Sequence, residues 1–335
     1  MKNSKKLLLG SGVAVGFISA VAATAYSVTH KMVSIAINRE KPSSSPKSAI
    51  RLSGTPVSEF DEKIKIATQK LEQAVTETVE ISATDGEKLV GHLYRCDNAK
   101  RIIIAMHGWR SSWSRDFGPI SDFWQQNGCT ILYADQRGQN GSGGDYIGFG
   151  LIERFDCRDW IDWVNQNINA DQLPIYLAGI SMGATTVLMA SSLELSPNVH
   201  GIMADCGFTS PHAIWKHVAD NNLRISYSLV SAMANSMYKK RIDMNTDEYS
   251  TTQALAETDI PVLLIHGSDD RFVPVEMTYQ NYKACRSPKK LLIVPGATHA
   301  MSYYINRYEY EGIVKKFWKE FDKSIIPSDN VIPLQ

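Results

Sequence analysis

The sequence predicts an α/β fold: a mostly parallel sheet with helices on both faces and a helical cap inserted over one end. Two observations carry this. From Arg101 to Asp322, short apolar runs alternate with longer amphipathic segments, and such alternation specifies parallel strands joined by crossover helices. Within that series, about 50 residues from Gly207 to Asp259 show no strand pattern, too long for a simple connection. The length of 335 residues, with 44% hydrophobic and 21% charged, suits one large domain with a substantial core.

The first element is an uncharged stretch from Leu7 to Val28, preceded by Lys2, Lys5 and Lys6 and closed by His30 and Lys31. A helix of this length can cross a hydrocarbon core, whereas the apolar part of a secretory peptide runs about 7–15 residues. Residues 1–30 are therefore expected to form a signal anchor or transmembrane helix. Ala23-Thr24-Ala25 keeps a cleaved, secreted form as the alternative. The short basic N-terminus favours the inside, which puts the large domain on the outer face of the membrane. Lys31, Arg39 and Lys41 balance the upstream lysines, and the free cysteines suit a reducing compartment, so a cytoplasmic domain stays open.

Residues 31–77 read as a linker and an amphipathic helix. Lys41-Pro42-Ser43-Ser44-Ser45-Pro46-Lys47 is polar and proline-punctuated. Phe60, Ile64, Ala67, Leu71 and Ala74 then recur at helical spacing. The main domain is expected over residues 78–325, with a tail at 326–335. It opens with a hairpin, Thr78–Ala83 and Leu89–Tyr94 around Asp85-Gly86. Strands follow at Arg101–Met106, Thr130–Ala134, Ile175–Ala178, His200–Asp205, Val262–Ile265 and Leu291–Val294. Helices are expected between them, near 116–127, 152–167, 184 onward, 276–285 and 305–322. The cap at about 207–259 carries Phe208, Trp215, Leu223, Tyr227, Leu229, Met233, Met237 and Tyr238.

Composition excludes several functions. Lys+Arg and Asp+Glu are each 35, so nothing steers the chain toward nucleic acid. Cys96, Cys129, Cys157, Cys206 and Cys285 are scattered without CxxC spacing, which indicates neither a metal site nor a disulfide framework. The glycines of Asp135-Gln136-Arg137-Gly138-Gln139-Asn140-Gly141-Ser142 lack the following lysine of a phosphate-binding loop, and the dinucleotide pattern is absent.

The chemistry lies in Gly179-Ile180-Ser181-Met182-Gly183, between an apolar strand and a helix-prone run. A serine between two glycines at such a turn reads as a nucleophile elbow, with glycines where a Cβ would collide with neighbouring backbone. The acid and the histidine it needs are found where later strands end: His266-Gly267-Ser268-Asp269-Asp270-Arg271-Phe272-Val273-Pro274, then Pro295-Gly296-Ala297-Thr298-His299-Ala300. The resulting chain order Ser…Asp…His is that of α/β-hydrolases.

On these motifs, the region from about Val79 to Phe321 resembles an α/β-hydrolase of the serine esterase and peptidase-like kind. The whole chain resembles the membrane-anchored bacterial cell-surface hydrolases of that superfamily. The family's HGxxDxxVP motif implies Asp270 as the acid, with Asp269 the adjacent alternative, and His299 as the base. It implies backbone N–H groups of Trp109 and Met182 as oxyanion donors. Asp135 to Ser142 resembles the family's DxRGxGxS segment, with Asn140 where a second glycine is common; Asn tolerates the left-handed backbone such a turn needs. His107 and His266 are expected to hold loop backbone near the site.

The expected reaction is hydrolysis of a carboxylic ester through an acyl-enzyme, with no metal or organic cofactor. The partner is a small-molecule ester. An amidase or aminopeptidase is the alternative, with Asp243, Asp247 or Glu248 available to bind an amine. A catalytically silent membrane-bound binding protein is the reading from another class.

Overall fold

The computed structural model describes residues 22–39, 60–75 and 77–322. Most of the expected membrane-spanning stretch lies outside these residues, as do the linker around 41–47 and the tail at 326–335. Among the described residues no helix is long and apolar enough to cross a membrane. Helix α1 covers residues 22–37, so it continues through Lys31 beyond the apolar stretch. Residues 31–39, assigned to a linker from the sequence, pack on the domain instead. Spacing explains this: Val33 and Ile37, one helical turn apart, are 2% and 0% exposed. Helix α2, Asp61–Ala74, packs against α3, Trp113–Gln126.

The described residues form an eight-stranded sheet in the order β1-β2-β4-β3-β5-β6-β7-β8. The hairpin of β1 (Glu77–Ser82) and β2 (Lys88–Tyr94) is antiparallel, and β2 pairs antiparallel with β4 (Cys129–Asp135). From β4 onward the pairing is parallel, through β3 (Arg101–Met106), β5 (Ile175–Ile180), β6 (Val199–Asp205), β7 (Val262–Gly267) and β8 (Lys289–Val294). The chain leaves β3 toward β4 and comes back across it to β5. Loops after β3 and β5 therefore diverge, and that switch point is where open α/β sheets place their sites.

Strand residues alternate between two cores. Ile102, Ile104 and Leu132 face α4 (Glu153–Asn167) and α5 (Met182–Ala190) through Trp160, Ile161 and Val187. Ile103, Ala105, Ile131 and Tyr133 face α3 and the closing helix α11 (Arg307–Phe321), which follows the short α10 (Ser302–Ile305), and meet Phe117, Trp124 and Phe317. The insertion holds α6 (Pro211–His217), a π-helical turn at Val218–Asn222, α7 (Tyr227–Ile242) and α8 (Thr251–Glu257). Helix α8 packs beside α5 and α9 (Val275–Ala284) rather than over the sheet's end.

Candidate active site

Ser181 stands where β5 turns into α5, at φ 55° and ψ −118°. A left-handed backbone of this kind costs a non-glycine residue about 1–3 kcal/mol and persists only where its surroundings enforce it. Here Ser181 N–H donates to Asp205 O at 2.8 Å. The flanking glycines permit the turn to close: a Cβ on Gly183 would lie 1.8 Å from Met106 O, and one on Gly179 would lie 2.3 Å from Gly183 O. The elbow is thereby pressed against the end of β3.

Three distant loops meet at this serine. His299, after β8, places Nε2 2.9 Å from Ser181 Oγ and Nδ1 2.6 Å from Asp270 Oδ2. A ring nitrogen facing a carboxylate carries the proton, which leaves Nε2 free to accept from the hydroxyl. Asp270, after β7, is buried; its Oδ1 accepts the N–H groups of Phe272 and Val273, each at 2.9 Å. Asp269 is exposed and accepts the Ser268 hydroxyl instead. Burial pushes the Asp270 carboxyl up, but the His299 charge and the hydrogen bonds of His266 and His299 outweigh it and hold it well below the usual carboxylate range. Burial pushes His299 down, and Asp270, with smaller help from Asp205 and Asp116, more than offsets this and leaves its pKa above the ordinary 6.5. The edge of Phe272 meets the His299 ring at 5.0 Å between centroids.

Both other strand-end histidines hold loop backbone. His266 Nε2–H donates to Val273 O at 2.9 Å, and its Nδ1 takes the Thr278 hydroxyl at 2.6 Å. His107 Nε2 accepts Gln136 N–H at 3.1 Å, so Nδ1 is protonated and donates to Gly108 O at 2.8 Å. Trp109 N–H occupies the opposite edge of that planar peptide unit. The loop abuts the elbow, since a Cβ on Gly108 would meet Ser181 Cβ at 3.4 Å. Met182, the other expected donor, begins α5, where the helix end favours negative charge. Asn140 has φ 49°, the left-handed backbone expected there.

Two residues at the site escaped the sequence reading. Asp116, in the first turn of α3, accepts Gly108 N–H at 2.7 Å and the Ser111 hydroxyl at 2.5 Å, and so fixes the loop that carries Trp109. Asp205, at the end of β6, is buried and bonded to the Ser302 hydroxyl at 3.2 Å; burial raises its pKa. Both are acids at element ends, a signal shared by many solvated carboxylates.

The site is roofed. Met182 belongs to one apolar cluster with Val33 and Ile37 of α1, Phe149, Phe208, and Ile214, Tyr227 and Tyr238 of the insertion. Phe149, at φ 54°, sets its ring 6.3 and 6.0 Å from Trp109 and Phe208, tilted to both, and 5.6 Å from Trp215, edge-on. Ser181 itself is 6% exposed. Leu223 and Leu229 point outward, the latter 83% exposed, and do not join this lining. Asp243, Asp247 and Glu248 are exposed.

Among the described residues, ligand atoms of Cys206, Asp270 and His299 lie within 4.8 Å of one another. The Asp270–His299 separation of 2.6 Å is shorter than the roughly 3.4 Å between two ligands on a tetrahedral ion with bonds near 2.1 Å. The cluster is a hydrogen-bonded pair beside a buried thiol, whose pKa burial pushes well up.

Fold and site define a serine hydrolase of the α/β-hydrolase fold. Residues 116–324, more than half of the chain, match the model of the prolyl oligopeptidase family, and the chain belongs to that family. It is 31% identical over 201 residues to the uncharacterised protein YqkD of Bacillus subtilis; the match spans 59% of this chain and 64% of YqkD. Among solved structures it is similar to the esterase Pf2001 of Pyrococcus furiosus, with TM-score 0.61 and 22% identity over 76% of this chain and 94% of that one. It is similar as well to Est1E of Butyrivibrio proteoclasticus, solved with ferulic acid bound, at TM-score 0.58 and 19% identity over 72% and 98% of the two chains.

Proposed function

We propose that this chain hydrolyses carboxylic esters with apolar or aromatic acyl groups, with Ser181 as nucleophile, His299 as base and Asp270 as orienting acid. The observation that carries the reading is the unbroken hydrogen-bonded line from Asp270 through His299 to Ser181. As Ser181 Oγ attacks the carbonyl carbon, its proton passes to His299 Nε2, and Asp270 holds the imidazolium that forms. Backbone N–H groups of Trp109 and Met182 receive the developing oxyanion; one such donor is worth about 2.7–4 kcal/mol of barrier. The ester C–O bond then breaks, and His299 returns its proton to the departing alcohol. Water repeats the sequence on the acyl-enzyme, releasing the acid and restoring Ser181.

The aromatic lining of Phe149, Phe208 and Trp215 supports an apolar or aryl acyl group, as does the ferulic acid held by Est1E. Membership of the prolyl oligopeptidase family favours amide cleavage as the second reading. The uncharged stretch Leu7–Val28 behind three lysines supports a membrane anchor with the domain on the outer face.

Incubation with a fluorophosphonate probe, then turnover of nitrophenyl esters of increasing chain length against aminoacyl nitroanilides, tests the chemistry. Labelling at Ser181 that Ser181→Ala abolishes, with esters preferred, is expected. Folded protein that takes no label would point to a silent binding protein, and preference for the anilides to a peptidase. Alkaline extraction and protease shaving of cells test the anchor and its orientation.

A further inference from the structure

The C-terminal end of α1 is capped by the loop that carries the expected oxyanion donor. A helix leaves its last four carbonyls without intrahelical partners. Here Ile35 O accepts Arg110 Nε and Nη2 at 3.1 and 2.7 Å, Ala36 O accepts the Trp109 indole N–H at 2.8 Å, and Ile37 O accepts Ile147 N–H at 2.7 Å. Ser34 O takes Asn38 N–H at 3.1 Å, and Asn38 O takes a further bond from Arg110 Nη2 at 2.6 Å. Both donors on the loop side are consecutive residues directly after Gly108.

The dependence runs both ways. Arg110 sits at φ 52°, a strained backbone for a long side chain. Its N–H is held by Gln139 Oε1 at 2.5 Å and its guanidinium by α1. Burial lowers its pKa, and no carboxylate among the described residues offsets this, so the negative end of α1 is what its charge meets. Arg39 extends the clamp from α1 to the glycine-rich loop through the carbonyls of Asn140, Ser142 and Gly144. Without α1, both loop side chains lose these partners, and the loop is left with the backbone bonds made by His107, Asp116 and Gln139.

We infer that α1 is a positioning element of the reaction site: docked, it holds the Gly108–Trp109 peptide in its oxyanion-binding orientation, and undocked, it lowers turnover without weakening ground-state binding. Turnover is thereby coupled to the segment that precedes the domain. The inference rests on Trp109 N–H as an oxyanion donor. It lies outside the residues matched by the family model, which begin at 116.

The test uses the full chain in three variants: Arg110→Gln and Trp109→Phe on the loop side, and Val33→Asp on the helix side, which leaves both loop residues unaltered. Nitrophenyl ester kinetics, the inhibition constant of a phenylboronic acid as tetrahedral mimic, and amide exchange of residues 29–37 are measured on each. Faster exchange in α1 accompanied by a kcat at least tenfold lower, KM within twofold and boronic acid binding weakened by the factor lost in kcat is expected. If Val33→Asp fails to fold, Trp109→Phe, which keeps a ring against Phe149, carries the comparison. Released α1 with kcat and boronic acid affinity within twofold of the parent overturns the inference, and so does a kcat loss with α1 exchange unchanged. A parent chain that turns over no ester and takes no fluorophosphonate overturns the underlying reading and this inference with it.

Discussion

His266 Nε2 stands 3.2 Å from Asp270 Oδ2, the oxygen that also receives His299 Nδ1 at 2.6 Å. Phe272 and Val273 N–H lie on Oδ1, and the His266 Nε2–H is shared between Val273 O at 2.9 Å and Oδ2, so both oxygens of the buried carboxylate have donors. Removing one leaves a charged group short of a bond worth about 1.5–3 kcal/mol. His266→Ala is expected to lower unfolding free energy by about that amount in a urea titration. It should also reduce kcat at least tenfold, because Asp270 gains freedom to leave His299.

Activity and stability should move in opposite directions with pH. The His299 pKa is raised in the fold, against 6.5 for an unperturbed histidine. Its protonated form therefore adds stability that is complete below the unfolded value and is lost as pH rises through the folded one. Catalysis needs the neutral ring. A plot of kcat/KM against pH is expected to rise with a midpoint above 6.5, while the melting temperature declines across the same window. Asp270→Asn should reverse the ring's preferred tautomer and reduce kcat about 10⁴-fold.

The two elbow glycines differ physically from a glycine that only relaxes a turn. A Cβ on Gly183 meets backbone, Met106 O at 1.8 Å, whereas one on Gly296, at φ 74°, has no atom within 4 Å. Gly183→Ala is expected to abolish fluorophosphonate labelling and sharply reduce the yield of folded protein. Gly296→Ala should cost about 1–2 kcal/mol of backbone strain and retain labelling. Thermal unfolding followed by circular dichroism compares them.

Phe149 fills the space between Trp109, Phe208 and Trp215. Phe149→Ala is expected to enlarge the acyl side of the site, raising kcat/KM for octanoyl over acetyl nitrophenyl esters by about tenfold, near the lower end of what a hydrophobic pocket discriminates. An unchanged ratio would place the acyl group elsewhere.

The sheet was legible because its strands are short apolar runs closed by glycine-rich or polar loops, and Ser181, Asp270 and His299 each sit at such a closure. What stayed hidden depends on contacts across the chain. Nothing local marks Asp116 as the acceptor for Gly108 N–H, since an acid in a first helical turn is ordinary capping chemistry. Val33 and Ile37 are apolar residues next to a longer apolar stretch, which masks their own spacing; only the cluster around Met182 reveals the face they bury. The insertion's residues were separable into lining and surface only once α7 had an orientation: Tyr227 and Tyr238 turn in, Leu229 turns out.

Ser181 is 6% exposed, and any opening needed to reach it would act on every substrate alike. Were entry to require an opening of the apolar cluster beside Ser181, each measured affinity would be the intrinsic one multiplied by the open fraction. If one molecule in about a hundred is open, all esters bind about a hundredfold more weakly than their fit allows, yet their ranking is untouched. Breadth of selectivity and absolute speed would then be separately adjustable: one belongs to the side chains that touch the acyl group, the other to the free energy of opening that cluster.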